Sequence, residues 1–547
     1  MNMKPIFNKI CTLGLAILTT AVMTGCMDEM EPNSSTVTQA QVQASTSAAD
    51  ALLMAMPAYL NHFEDGTVED GWHYAYGYPS QMMIRNMLGG DEGFNKSNYA
   101  THYMYWGQNQ YQGADYVFAG YIWRYYNGFL LAINNMVGGV DPATATEEQL
   151  GALGAGYAYR AMVYLDLARM YEFLPNDIYP DGVNADNNNV TGLTVPIVTE
   201  KTSEADATNN PRAPHAEMAA FILDDLDNAE KYIVNLEDTR GNVLPDLACV
   251  YGLKARLYMW NEDYANAEKY ARLAIDNARV APLTAEKGLS TTNGMNTAAD
   301  FMWAGETTSE DDAVQSGIVN WISWATNQCY FAYTGGQTTL YTVCDANMYN
   351  RISDTDWRKL WFQAPEGSPL RDEIPYLTPS DATQLPPYAS IKFRPGKGNT
   401  EDYKVAAACA YPVMRVEEMY LIEAEAAAHQ SAASGLEKIK SFMTTYRNPA
   451  YATKATAQED VINEIVFQKQ VELWGEGQRF FDVKRLNLPV TRGYEGTPFY
   501  SQFRLNTTTR PAWTNIVISR NEVMNNSAVD KFNNPDPSDK YTIWTGE

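Results

Sequence analysis

The densest chemistry in this sequence lies between Glu472 and Arg485, where Glu472, Glu476, Arg479, Asp482 and Arg485 stand three or four residues apart. On a helix those steps make the side chains neighbours. Two carboxylates beside an arginine are the material of an acid/base pair, but alternating charge at helical spacing more commonly builds a structural ion ladder, and that reading is preferred. Gly475 and Gly477 would each cost about 1 kcal/mol inside a helix, so they mark a close approach or a helix end.

Stacking is the second chemistry on offer. Aromatic residues make up 12% of the chain, with 36 Tyr and 12 Trp. Their flat apolar faces and polar edges suit sugar rings, and they suit a large helical core equally well. Two ring-rich stretches fall outside the helical patterns. One holds Trp72, Tyr74 and Tyr76 with Tyr105 and Trp106; the other holds Trp321, Trp324 and Tyr330. These are the candidate ligand-binding residues, with Asp91 as their polar neighbour, and ordinary packing competes for each of them. Trp123, Tyr164, Tyr258 and Trp474 sit in helical runs and read as core.

Nothing proposes a nucleophile, a metal or a cofactor. Gly89-Gly90-Asp91-Glu92-Gly93 lacks the GK[ST] end of a phosphate loop and carries two acids. Pro180 to Asn189 is rich in Asp and Asn without calcium-loop spacing, which favours turns. The five histidines, His62, His73, His102, His215 and His429, are isolated, and Cys249, Cys329, Cys344 and Cys409 follow no zinc or redox spacing. Whether these cysteines pair is left open. A glycoside hydrolase needs only two carboxylates, placed anywhere among 66 Asp and Glu, so that class stays open too. A net charge of −26 argues against nucleic acid, which requires a basic footprint.

The elements that position these groups are helices. Apolar periodicity predicts them from Asp50 to about Asn61, Gln81 to Leu88, Tyr121 to Asn135, Gly156 to Tyr171, His215 to Ile233, Leu247 to Ala278, from Met419 with no break before Gly435, and Val461 to about Leu473. Ala255, Tyr258, Tyr264, Ala267 and Ala274 stand at tetratricopeptide-repeat offsets, where small residues let paired helices approach. Between about Ala281 and Ala410 the periodicity fails, and Ser390 to Arg394 reads as a short strand. The fold class expected is mainly α: a tetratricopeptide-like scaffold of helical hairpins at 120–280 and 411–486, carrying a loop-rich, partly β ligand subdomain at about 281–410, all within one domain from 50 to 547.

Residues 1–25 read as a secretory leader. Lys4 and Lys9 precede a short apolar run, and Thr24-Gly25-Cys26 places small residues before a cysteine. That is the bacterial lipoprotein pattern, in which Cys26 receives lipid; residues 26–49 would be the anchor and a flexible Ser/Thr/Gln/Ala tether.

Arg415, Glu418, Leu421 and Ala424-Glu425-Ala426, followed by Glu472-Leu473, Glu476-Gly477, Arg479, Asp482 and Arg485, resemble the C-terminal signature of the SusD/RagB family. Tyr121 to Asn135, Gly156 to Tyr171 and Ile516 to Asn526 are similar to further family segments, with serine at 519 where proline is common. The acidic residues after Cys26 resemble the family's surface-export signal. The resemblance implies a non-enzymatic outer-membrane lipoprotein facing the cell exterior. It would bind glycan and deliver it to a SusC-like TonB-dependent transporter. A surface glycoside hydrolase, or a receptor for peptides or another nutrient, is the alternative.

Overall fold

The computed structural model describes residues 46–64, 73–97, 101–336, 339–375, 377 and 384–546. The leader, Cys26 and Trp72 lie outside them. The helices of the scaffold and the site are α1 (Thr46–Leu60), α2 (Tyr78–Gly89), α3 (Thr101–Gly107), α4 (Val117–Gly139), α5 (Glu147–Tyr171), α6 (His215–Ile233), α7 (Leu247–Trp260), α8 (Tyr264–Asn277), α9 (Trp321–Ala325), α10 (Val416–Gln430), α11 (Ala432–Tyr446), α12 (Gln458–Glu472) and α13 (Arg479–Arg485). The mainly α expectation holds. α1 begins at Thr46, inside the 26–49 stretch read as anchor and tether.

Local chemistry sets the helix ends. Thr146 and Gln149 close a reciprocal capping box at the start of α5, and the carboxylates of Asp246 and Asp263 cap α7 and α8. Ser431 ends α10 and caps α11, so the helical run breaks there and not at Gly435. Gly435 lies inside α11, where a Cβ would run into Ala428 of α10; the glycine is there for the close crossing.

The helices pair as α5 on α6, α7 on α8 and α10 on α11, with α8 also packed on α10. Ala255, Ala267 and Ala274 are fully buried at these crossings, as the repeat offsets require. Two forked ion pairs tie the hairpins together. Arg160 of α5 donates through Nε and Nη2 to Asp225 of α6 at 2.8 and 2.7 Å. Arg256 of α7 grips Glu418 of α10 in the same way at 2.8 and 2.6 Å, across 162 residues of sequence.

The acid-rich stretch after α12 is structural, as preferred. Glu472 is fully buried and accepts from Arg358, Arg415 and Arg447 at 3.0, 2.7 and 2.7 Å. Burial opposes its charge, yet Arg447, Arg415 and Arg358 hold its carboxyl well below the usual range. Arg415 also reaches Glu476 at 2.8 Å, and Lys392 meets the same Glu476 oxygen at 2.6 Å. Gly475 and Gly477 are left-handed, with φ of 78° and 73°, and end the helix.

Two small antiparallel sheets fasten the remaining loops. β1 (Glu92–Phe94) pairs with β3 (Thr342–Cys344), and β2 (Trp303–Glu306) with β4 (Ala410–Met414). Ser390 to Arg394 is no strand; it makes only isolated bridges, Ser390 to Phe362 and Phe393 to Gly294. The four cysteines described are free, buried thiols.

Candidate functional site

The loop-rich region opens a cleft of ≈ 250 Å³ lined by residues 327–330, by Gly335, Gly336 and Tyr341, by Arg394, Gly398 and Thr400, and by Leu385. Glycines let these walls approach. A Cβ on Gly335, at φ 80°, would run into the Asn327 carbonyl, and one on Gly336 into the carbonyls of Cys329 and Tyr330. A Cβ on Gly398, at φ 66°, would come within 2.6 Å of the Thr291 carbonyl oxygen. Asn327 fixes the first wall: its Nδ2 donates to Thr342 O and Ser390 O, both at 2.8 Å, and its Oδ1 accepts from Thr342 N at 3.0 Å.

Into this cleft the loops hold Tyr330, 61% exposed, beside half-buried Tyr341. The Tyr330 backbone N–H donates to Thr400 O at 2.8 Å. Arg394, nearly fully buried, donates through Nη1 to Gln328 Oε1 at 2.6 Å and through Nη2 to Thr291 O at 3.0 Å. Gln328, Gln384 and Thr400 complete the polar rim. Burial lifts the Tyr341 phenol and the Cys329 thiol above their usual pKa, so both are neutral at physiological pH. The cleft offers ring faces for stacking and neutral amides and hydroxyls for hydrogen bonds. Those are the groups that hold a polyol.

Of the expected ligand residues, Tyr330 lines this cleft and Tyr105 is exposed elsewhere, at 38%. Tyr74, Tyr76, Trp106, Trp321 and Trp324 are buried at 6% exposure or less. The two ring-rich stretches do meet, but inside the protein. Tyr103 contacts Trp106 and Trp324 with ring centroids at 5.5 and 4.8 Å, and its hydroxyl donates to Tyr76 at 2.9 Å. Trp324 stacks on Tyr333 at 4.4 Å, Tyr74 packs on Trp106 at 5.1 Å, and Trp321 packs on Phe393 at 4.8 Å. Rings whose faces are already covered have none left for a ligand, so these five are core. Trp106 and Tyr105 sit on α3 and Trp321 and Trp324 on α9, short helices where loops are expected. Asp91 is also internal. Its Oδ1 accepts from Gln470 at 2.8 Å, its carbonyl from Trp474 Nε1 at 3.1 Å, and Arg479 Nε stands 3.4 Å from Oδ2. Burial lifts its carboxyl to about 6. It braces β1 against the segment after α12.

Gln328, Tyr341, Gln384, Arg394 and Thr400 were not singled out. The glycine pairs Gly335-Gly336 and Gly396-Lys397-Gly398, set in a ring-rich stretch, were the signal of close backbone approach that could have found them. Among the described residues, no group of three His, Cys, Asp or Glu is placed to hold a metal ion. The Asn-rich loop is turn-built: Asn184 Oδ1 accepts from Asp186 N and Asn188 N, both at 3.1 Å.

Residues 377–543 match the model of the SusD family. The match takes in the segment that carries the signature residues Arg415 to Arg485. No curated protein sequence matches it. Among solved structures it is similar to a SusD-like carbohydrate binding protein from Bacteroides vulgatus, at 19% identity and TM-score 0.67, over 88% of this chain and 97% of that one. It is similar also to a SusD superfamily protein from Bacteroides thetaiotaomicron, at 16% identity and TM-score 0.65, over 90% and 99%. Those likenesses extend the SusD fold across nearly the whole length. No described helix is long and apolar enough to cross a membrane.

Proposed function

We propose that this SusD-like chain is a cell-surface receptor that captures a glycan in the Tyr330 cleft and passes it to a SusC-like TonB-dependent transporter. The exposed Tyr330 ring, held over a cleft rimmed by amides and hydroxyls, is the observation that carries this reading. The solved structure of the same fold that bears a carbohydrate-binding description supports it. Binding without hydrolysis is the chemistry favoured by this rim. Glycoside cleavage works through two carboxylates flanking the bond, and the described lining supplies tyrosine, amide, threonine and arginine groups instead. Lipid on Cys26 would hold the protein at the outer membrane with its body outside the cell.

The test is isothermal titration against polysaccharides, oligosaccharides and peptides, with release of reducing ends followed in parallel. Binding of a glycan that Tyr330→Ala weakens, with no new reducing ends, is expected. Steady release of reducing ends, or binding of peptides alone, overturns the proposal.

A further inference from the structure

A second set of exposed rings lies outside the cleft. Tyr105, Tyr111 and Tyr116 are 38%, 45% and 43% exposed, and none of them lines the cavity around Tyr330. The three contact one another in series: Tyr105 to Tyr111 at 5.0 Å with planes at 77°, and Tyr111 to Tyr116 at 5.2 Å with planes at 67°. The outer two rings thus each stand across the middle one, and Val117, 40% exposed, continues the apolar surface.

This row is held in place rather than left to settle. Asn109 and Tyr111 both adopt left-handed backbone, with φ of 59° and 57°. A bulky L residue takes that conformation only where its surroundings impose it. Here the C-terminal segment does so. Asp539 N donates to Asn109 O at 2.8 Å, and Gln112 N to Ser538 Oγ at 2.9 Å. Gln112 Nε2 reaches back to Trp106 O at 2.9 Å. Gly113 admits the Asp536 carboxylate where any Cβ would collide with it. A strained loop, clamped by residues from the far end of the chain, fixes three tyrosines with their surfaces outward.

We propose that Tyr105, Tyr111 and Tyr116 form a second carbohydrate-contacting surface, which takes uncharged pyranose rings of a long glycan held at the same time by the Tyr330 cleft. The inference rests on the glycan reading above. Tyrosine supplies an apolar face for the ring's C–H groups and a hydroxyl for its edge. The neighbouring acid, Asp115, is neutralised by Arg520 at 2.7 and 2.9 Å. On a chain of net charge −26, a neutral sugar approaches such a surface without repulsion, whereas an anionic one meets it. Two separate contacts on one polymer raise its apparent affinity above that of an oligosaccharide, which fills one site.

The experiment is affinity electrophoresis of the mature chain in mixed-linkage β-glucan, arabinoxylan, galactomannan and amylopectin, with polygalacturonate as the anionic comparison. Titration with short oligosaccharides of the retarding polymer accompanies it. Tyr111→Ala and Tyr116→Ala should each weaken polymer binding roughly three- to ten-fold, the effect of one stacked ring, and leave oligosaccharide affinity unchanged. Tyr111→Phe, which keeps the ring, should retain most of the polymer affinity, and thermal melts should be unshifted for all three variants. Unchanged polymer binding in the alanine variants overturns the second surface and leaves the cleft standing. Equal losses for polymer and oligosaccharide make the tyrosines part of one site and overturn it as well. A wild-type chain retarded by polygalacturonate alone removes the preference for neutral sugars, and one retarded by none of the polymers overturns this inference together with the glycan reading.

Discussion

Tyr330 and Trp324 belong to the same ring-rich stretch and face opposite environments, one 61% exposed at the cleft and the other fully buried against Tyr333. Tyr330→Ala should leave the melting temperature nearly unchanged. Its cost in glycan binding should be several-fold, since a stacked ring is worth about 0.5–1.5 kcal/mol beyond the area it buries. Trp324→Ala should instead remove about 3–5 kcal/mol of stability, measured by denaturant titration. If the two variants behave alike in both assays, the division between cleft and core is wrong. A second residue-scale effect concerns Glu92 on β1, where burial, aided by neighbouring Asp91, pushes the carboxyl up to about 8. The folded state then holds a proton that the unfolded chain has released. The stabilisation is complete below the unfolded value near 4.5 and is lost as pH rises towards 8. Across that window the wild type should lose up to about 1.4 kcal/mol per pH unit through this group, and Glu92→Gln should flatten the slope. An unaltered slope in the variant contradicts the assignment.

At the scale of elements, the fork between Arg256 of α7 and Glu418 of α10 locks two hairpins distant in sequence. Glu418→Gln leaves a buried guanidinium without its carboxylate, which should cost about 3–5 kcal/mol. Breaking the exposed Arg520–Asp115 pair by Asp115→Asn should cost less than about 1 kcal/mol, although its distances are as short. Comparable melts for the two variants would refute the idea that burial sets the difference. Helices like α6 and α7 were legible because the 3.6-residue period is local, and the α7 cap Asp246 lies beside it in sequence. The tetratricopeptide offsets of Ala255, Ala267 and Ala274 were legible for the same reason. The site was not. Whether Trp324 is covered depends on Tyr103 and on the β1–β3 pairing, contacts that join segments more than two hundred residues apart. Ring content announced stacking chemistry, but only the tertiary fold separates Tyr330 from rings that serve the core. Asp91 failed likewise, because its partners Gln470 and Trp474 come from the other end of the chain.

The net charge is −26, and would be −28 were a leader carrying Lys4 and Lys9 removed; either value suits a solvated exterior surface and disfavours adhesion to anionic lipid. Attachment would therefore depend on the lipid at Cys26. A diacyl or triacyl anchor holds a large soluble body at a membrane without any spanning helix. A receptor held in this way would bind cargo but move none across the membrane, so capture would be productive only beside a transporter. The mature N-terminus should accordingly carry lipid mass on intact-mass analysis. Cys26→Ala should lack that mass and leave the membrane fraction. The wild-type protein should co-purify with a SusC-like transporter from native membranes in mild detergent. Tyr330→Ala should co-purify equally well while uptake of the cognate glycan falls. A protein that stays membrane-bound without lipid, or runs alone while uptake continues in a deletion strain, has a different mode of attachment or a different role.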